Sequence, residues 1–349
     1  MAEKKKAVVI LTPGFASDEK DTTCIPVLQQ YVSAFFAARP DVKLYVLAFQ
    51  YPSAKGWYKW NNIDVYSAGG KGSFYFRVFT WMYVLKELKR IAKQNDIGVI
   101  HSYWLTECTL IGQRFARKNK IKHIAYAIGQ DVLKENKYLR LLNFSQISVV
   151  AMSESIANRC SNLTNRKVAA IIPAGIDIKS IPLTTEPRTI DIIGVGALIQ
   201  LKNYSLFIDI IDNLKKDIPG IKAIIIGKGI QEQMLKEEIG RRDLEENIQL
   251  VGEKPHKEIF SFINRSKIFL HTSNYEGQST VIMEAISLGL PVVCFDVGRV
   301  DNEKIKVCKD KDEMVSKLRE LLSQKIDYSP AIALTTEDTV REFIKIYEI

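Results

Sequence analysis

The chain has 349 residues, more than a single hydrophobic core usually organises, so two domains are expected. Its hydrophobic content of 46% and charged content of 26% are those of a folded globular protein and exclude a fibrous or disordered one. The formal charge of +9 favours an anionic partner, while five scattered cysteines without a C-x-x-C pair argue against a disulfide framework or a zinc knuckle and for a reducing cytoplasm.

The first apolar run, Ala7 to Leu11, is too short for the hydrophobic region of a signal peptide or for a membrane span, and it reads as the opening strand, Ala7 to Thr12. Further β-rich runs alternate with stretches of helical period: Lys43 to Phe49, Ile97 to His101, Lys122 to Ala127, Ser148 to Met152 and Val168 to Ile172. This alternation predicts βα units building one parallel sheet. From Ile178 to Arg188 the period is lost, with Pro182, Pro187 and the pair Thr184-Thr185, and a linker is placed there. The alternation resumes with Thr189 to Val195, Lys222 to Ile226, Ile248 to Val251, Lys267 to Thr272, Pro291 to Phe295 and Ile305 to Cys308, a second sheet. After Lys202, the positions of Tyr204, Phe207, Ile208, Ile211 and Leu214 make one apolar stripe, which reads as core.

The predicted fold class is therefore α/β, with two Rossmann-like, doubly wound parallel-sheet domains facing across a cleft where ligands bind beyond the carboxyl ends of the strands. Residues 1–180 form the first domain, residues 189–334 the second, and residues 335–349 a helix expected to pack back toward the first.

The densest chemical signal runs from Ile268 to Asp296: a strand, the loop Ser273-Asn274-Tyr275-Glu276-Gly277-Gln278-Ser279, a helix from Thr280 to Leu288, then Gly289 as a helix stop. Ser279 is placed as the N-cap, so that the unpaired amides and the positive end of the helix dipole face whatever lies above the sheet, an arrangement suited to a diphosphate. Glu284 falls among Ile282, Met283, Ala285 and Ile286, where a carboxylate is costly unless paired or used. It reads either as an acceptor for sugar hydroxyls or as an ordinary exposed helix glutamate.

The run Glu276-Gly277-Gln278-Ser279-Thr280-Val281-Ile282-Met283-Glu284-Ala285, followed by Gly289-Leu290-Pro291-Val292-Val293, resembles the paired-glutamate signature (E-x7-E) of family 4 retaining glycosyltransferases with the GT-B fold. Gly194-Val195-Gly196 with Lys202, Ile226-Gly227-Lys228-Gly229 and Val251-Gly252 are similar to that family's glycine turns. In the first half, Ile100-His101-Ser102-Tyr103-Trp104, Gly129-Gln130-Asp131, Ser153 and Ile172-Pro173-Ala174-Gly175-Ile176-Asp177 resemble its N-terminal domain and the exit from it. The resemblance implies that Lys202 binds the diphosphate, Glu284 the nucleotide ribose, and Glu276 with the amides of Gly277, Gln278 and Ser279 the donor sugar and phosphates. It also implies Gly14 and Gly227 as close approaches to the donor and His101, with Glu276 and Lys202, as a catalytic candidate, although on its own residues His101 reads more readily as a satisfied imidazole at a strand end. Three features depart from the pattern: Ala197 stands where a second basic residue is usual, Ile128 where a histidine is, and the first loop, Pro13-Gly14-Phe15-Ala16-Ser17-Asp18, has one glycine where relatives often have two.

The activity that the resemblance implies is retaining, metal-independent transfer of a sugar from a nucleoside-diphosphate sugar to a hydroxyl acceptor, a glycan or a lipid-linked one, with same-face substitution and no cofactor. A non-catalytic sugar-nucleotide-binding or scaffold protein of the same fold is the alternative. Nicotinamide chemistry is disfavoured because Gly194-Val195-Gly196 continues to Ile199, where a dinucleotide fingerprint needs glycine. Nucleic acid is not expected, since charge is present without a recognition helix or stacking motif. Asp310-Lys311-Asp312 reads as helix capping and not as a metal site, and the four histidines lack ligand spacing. Ser67-Ala68-Gly69-Gly70-Lys71-Gly72-Ser73 reads as a turn, lacking the P-loop order. The aromatic and basic residues mixed between Lys55 and Arg90 read as core of a helix from Ser73 to Lys93 or as a peripheral contact with the anionic inner membrane face.

Overall fold

The computed structural model describes residues 4–71, 77–177, 187–298, 302–331 and 334–349. In chain order its elements begin β1 (Lys6–Gly14), α1 (Pro26–Ala38), β2 (Lys43–Tyr51), β3 (Gly56–Trp60), β4 (Ile63–Ser67), α2 (Arg77–Gln94), β5 (Asp96–Tyr103), α3 (Glu107–Asn119), β6 (Lys122–Ala127), β7 (Ser148–Ala151), α4 (Glu154–Thr164) and β8 (Ala170–Ile171). They continue with β9 (Ile190–Val195), α5 (Tyr204–Lys215), β10 (Ala223–Ile226), α6 (Glu232–Arg241), β11 (Ile248–Leu250), α7 (His256–Asn264), β12 (Ser266–His271), α8 (Thr280–Ser287), β13 (Val292–Cys294), β14 (Ile305–Val307), α9 (Lys311–Ser323) and α10 (Thr336–Tyr347). The chain divides into two compact units, one made of Met1–Gly175 with Thr335–Ile349 and the other of Ile176–Leu334. Most of the predicted linker, residues 178–186, lies outside the described residues, as do residues 72–76 of the glycine-rich turn and the start of the aromatic helix.

The first unit holds an eight-stranded sheet in the order β3-β4-β2-β1-β5-β6-β7-β8. Every pairing is parallel except that of β3 with β4, a hairpin the periodicity does not announce. Asn61 and Asn62 turn it with φ of 46° and 66°, the left-handed pair that a tight hairpin requires. The central strands read as continuous apolar runs because both faces are covered, Val8 and Ile10 packing into one cluster and Val9 and Leu11 into another. The hairpin also corrects the reading of the aromatic segment: Trp60 and Tyr66 are buried, Trp57 donates to Glu87 at 3.0 Å, and among the described aromatics of that set only Phe79 stands more than half exposed.

α10 completes this unit. Val340, Phe343 and Tyr347 are buried in the same cluster as Tyr31 and Phe35 of α1, and a capping box between Thr335 and Asp338 starts the helix. The Tyr347 hydroxyl lies 2.6 Å from that of Tyr31.

The second unit holds a six-stranded, wholly parallel sheet in the order β11-β10-β9-β12-β13-β14. Counted from β9, the order is 3-2-1-4-5-6, so the winding reverses between β9 and β12, and the crevice beyond the carboxyl ends of those strands is where such a sheet takes a ligand. The stripe predicted on α5 is core: Tyr204, Phe207, Ile208, Ile211 and Leu214 are all buried.

Candidate functional site

The turns that leave β9 and β10 are pressed together. Gly196 and Gly227 have φ of 155° and 147°, and a Cβ on Gly227 would stand 1.9 Å from the Gly196 carbonyl oxygen, so no side chain fits there. Beyond Gly196 a short 3-10 turn, Gln200–Lys202, ends at Asn203 with φ 53°. The loop after β12 holds this turn in place: Thr272 Oγ1 donates to the Lys202 carbonyl at 2.9 Å, and the Asn274 amide donates to that of Leu201 at 2.9 Å.

These restraints bring the side chain of Lys202 onto Glu276, and the ammonium pairs directly with the carboxylate. Ser273 Oγ donates to Glu276 Oε1 at 3.0 Å, and His271 Nε2 lies 3.3 Å from the same oxygen. Burial alone would push the Glu276 carboxyl up, but the bond to His271 and the charge of Lys202 outweigh it and hold the group at about 2, so it is ionised at neutral pH. Burial pushes His271 down, against the pull of Glu276.

Ser279 occupies the N-cap position of α8, but its side chain does not cap the helix. Its hydroxyl lies 3.2 Å from His271 Nε2 instead, and its amide donates to the Gly298 carbonyl at 2.7 Å. The predicted capping role is therefore corrected: the hydroxyl belongs to the histidine at the end of β12, the Ser279 amide is engaged, and the first turn of α8 carries no side-chain cap. Gly298, with φ 60°, packs against this loop so closely that a Cβ there would lie 2.2 Å from Glu276 Cβ.

Glu284 is not the exposed helix glutamate of the bland alternative, since it is only 5% exposed. His256 Nε2, at the start of α7, lies 2.8 Å from its Oε1, while Oε2 is buried without a hydrogen-bond partner among the described residues. Burial pushes His256 down, but the bond and charge of Glu284, with the charge of Asp177, raise it above its ordinary value.

Lys202, Gly227, Glu276, Gly277, Gln278, Ser279 and Glu284 thus all lie in the second unit, around the reversal of its sheet. Gly14 lies in the first unit at the end of β1, beside Tyr51, with Cys24 Sγ 3.2 Å from where its Cβ would be. His101 is corrected: it is fully buried in the core of the first unit, with Nδ1 2.6 Å from the Tyr347 hydroxyl and its ring packed on Phe343 and Tyr103, and burial pushes it down to about 3. A neutral imidazole enclosed in this way is shut off from solvent, and its one hydrogen-bond contact among the described residues is to Tyr347 of α10. Sequence reasoning missed His256, His271 and Gly298. The one available signal was that His271 closes the strand immediately before the Glu276 loop.

Elsewhere, Asp310 caps α9, accepting from the Glu313 amide at 2.9 Å. Among the described residues no group of histidine, cysteine, aspartate and glutamate side chains is arranged to hold a metal, and no helix is long and apolar enough to cross a membrane.

Residues 178–330 match the family described as "Glycosyl transferases group 1". The match spans the whole of this site. Over 115 residues the chain is 35% identical to the amylovoran biosynthesis glycosyltransferase AmsD of Erwinia amylovora, covering 33% of this chain and 32% of that protein, so the chain matches about a third of that relative's length. It is 25% identical over 297 residues to an uncharacterized glycosyltransferase of Methanocaldococcus jannaschii, covering 77% of this chain and 68% of the relative. Among solved structures, Anabaena HepE in complex with UDP and glucose superposes with a TM-score of 0.69 at 16% identity, covering 98% of this chain and 95% of that one. The fold is accordingly GT-B, built of two parallel-sheet α/β domains.

Proposed function

We propose that the protein is a retaining, metal-independent glycosyltransferase of family 4 type, which holds a nucleoside-diphosphate sugar in its second unit and transfers the sugar to a hydroxyl acceptor. The observation that carries this reading is the buried Oε2 of Glu284, an acceptor without a donor among the described residues, in a helix that starts at the reversal of the sheet. An unsatisfied buried carboxylate oxygen costs several kcal/mol unless a ligand supplies the hydrogen bond, and vicinal ribose hydroxyls are suitable donors.

In this reading Lys202 exchanges its partner, leaving Glu276 for the diphosphate, and Glu276 then accepts from hydroxyls of the donor sugar. Lysine and the uncapped start of α8 supply fixed positive charge where the leaving nucleoside diphosphate gathers negative charge. Substitution occurs on one face of the sugar, and the departing phosphate oxygen takes the acceptor's proton. The Anabaena neighbour was solved with UDP and glucose, and the Erwinia relative is named for polysaccharide biosynthesis; a UDP-sugar and a glycan or lipid-linked acceptor are the first pair to try. The exposed apolar start of α2 is proposed to contact an anionic membrane surface.

The test is incubation of the purified protein with UDP-, GDP- and ADP-sugars, following release of the free nucleoside diphosphate. One donor is expected to turn over slowly without acceptor, and Glu284→Ala to weaken binding of its nucleotide about 10–100-fold, the loss of one to two charge-assisted hydrogen bonds. Binding without turnover, even with glycan acceptors supplied, would favour a non-catalytic sugar-nucleotide-binding protein.

A further inference from the structure

His256 belongs to none of the motifs that carry the resemblance, yet its Nε2 lies 2.8 Å from Glu284 Oε1. The position of the ring is not left to chance. His256 opens α7, and its ring centroid sits 4.5 Å from that of Phe260, one turn further along the same helix and itself buried. The two oxygens of Glu284 therefore have different surroundings: Oε1 has a directional donor, and Oε2 has none among the described residues. A carboxylate free to turn about its last torsion would present either oxygen in either direction. With one oxygen held, the other becomes an acceptor of fixed aim, as a ligand-bearing histidine is aimed by the partner of its second nitrogen.

We propose that His256 is a positioning residue that pins Glu284 through Oε1, so that Oε2 is presented to the ribose hydroxyls of the bound nucleotide. The inference rests on the donor-binding reading of the second unit. It adds a pH dependence that Glu284 by itself would not have. Among the described residues, the titratable groups facing the imidazole are Glu284 on α8 and Asp177, both acidic, with Phe260 as the apolar neighbour. Protonated, His256 donates a charge-assisted bond and neutralises the buried carboxylate; neutral, it keeps at most an uncharged N–H on Nε2. Because the partners raise the group above its ordinary value, the hold is complete at mildly acidic pH and weakens as pH rises through that raised value.

The experiment measures the ribose preference directly, by calorimetric titration of UDP, GDP and ADP, each against its 2′,3′-dideoxy counterpart, from pH 6 to pH 9. The unaltered protein is expected to prefer one ribonucleotide over its dideoxy form by about 10–100-fold, more strongly at pH 6 than at pH 9. His256→Ala is expected to lose most of that preference while binding the dideoxy form as before. His256→Gln, whose amide still donates, keeps a large part of the preference but loses the change with pH that the histidine contributes. Equal weakening of ribo- and dideoxy forms by His256→Ala would make His256 a structural residue only and overturn the inference. So would a pH dependence in His256→Gln equal to that of the unaltered protein, and that variant carries the test alone if His256→Ala does not fold. If no nucleoside diphosphate binds the unaltered protein, the donor reading itself fails, a result distinct from binding without a His256 effect.

Discussion

At the scale of single residues, the pair formed by Lys202 and Glu276 shows how charge is stored before a ligand arrives. Each neutralises the other at a mostly buried position, so that in the proposed function a ligand would have to offer both an anion and hydroxyl donors to replace what the pair gives up. Glu276→Ala is expected to abolish the extra affinity of a nucleoside-diphosphate sugar over the bare nucleoside diphosphate while leaving the latter mostly intact, and competition titration would reveal it; an unchanged increment would remove Glu276 from the sugar subsite. The structure pairs Lys202 with Glu276. Glu276, Glu284 and Lys202 were legible in the sequence because the strand-loop-helix and the glycine turn that carry them resemble a known family's pattern, not because spacing alone assigns them. His256 and His271 were not, because what gives them a role is the approach of α7 to α8 and of Ser279 to the end of β12, neither of which leaves a fixed interval in the chain. His101 misled for the opposite reason: it ends a strand, as a site residue does, but its partner Tyr347 is supplied by a helix 246 positions away.

At the scale of elements, the alternation of strand and helix was readable wherever both faces of a strand are covered, since such strands are continuous apolar runs. The hairpin β3-β4 was not, because Trp57, Tyr58 and Trp60 alternate with too few polar residues to separate an edge strand from a surface patch. The resulting structure turns most of these rings inward and leaves α2 with a different exposed face. Val78, Phe79 and Met82 are exposed in its first turns, and Lys86, Lys89, Arg90 and Lys93 follow at helical spacing, also exposed. An apolar tip continued by a cationic stripe is the arrangement that rests rings and alkyl groups among lipid headgroups while the cations meet phosphate. The double variant Phe79→Ser, Met82→Ser is expected to reduce cosedimentation with phosphatidylserine-containing vesicles several-fold without altering nucleotide affinity. Equal sedimentation of both proteins would remove α2 from any membrane contact.

At the scale of the whole molecule, the first unit contains two histidines, His101 and His123, that burial holds near 3, far below their value in an unfolded chain. Both are neutral in the folded state at pH 5, and both become charged on unfolding. The unfolded chain binds more protons there, so stability rises with pH across the interval between about 3 and about 6.5 and is lost as pH falls through it. Replacing His123 with glutamine is expected to reduce proton uptake on unfolding at pH 5 by about one, flattening the stability profile by roughly 1 kcal/mol per pH unit, as denaturant titrations at successive pH values would measure. An unchanged slope would mean that His123 is already charged in the fold.

The first unit is also discontinuous, its sheet made from residues before Gly175 and its closing helix from residues after Leu334. On a ribosome adding roughly 5–20 residues per second, all of the second unit emerges before α10 does, an interval of about 10–30 s. Throughout that time Tyr31 and Phe35 on α1 lack the helix that buries them, and His101 lacks the hydroxyl it is bonded to. The order of completion is therefore inverted with respect to position: the unit whose sheet precedes the other is closed only after the other has emerged, and until then its aromatic face on α1 stays bare.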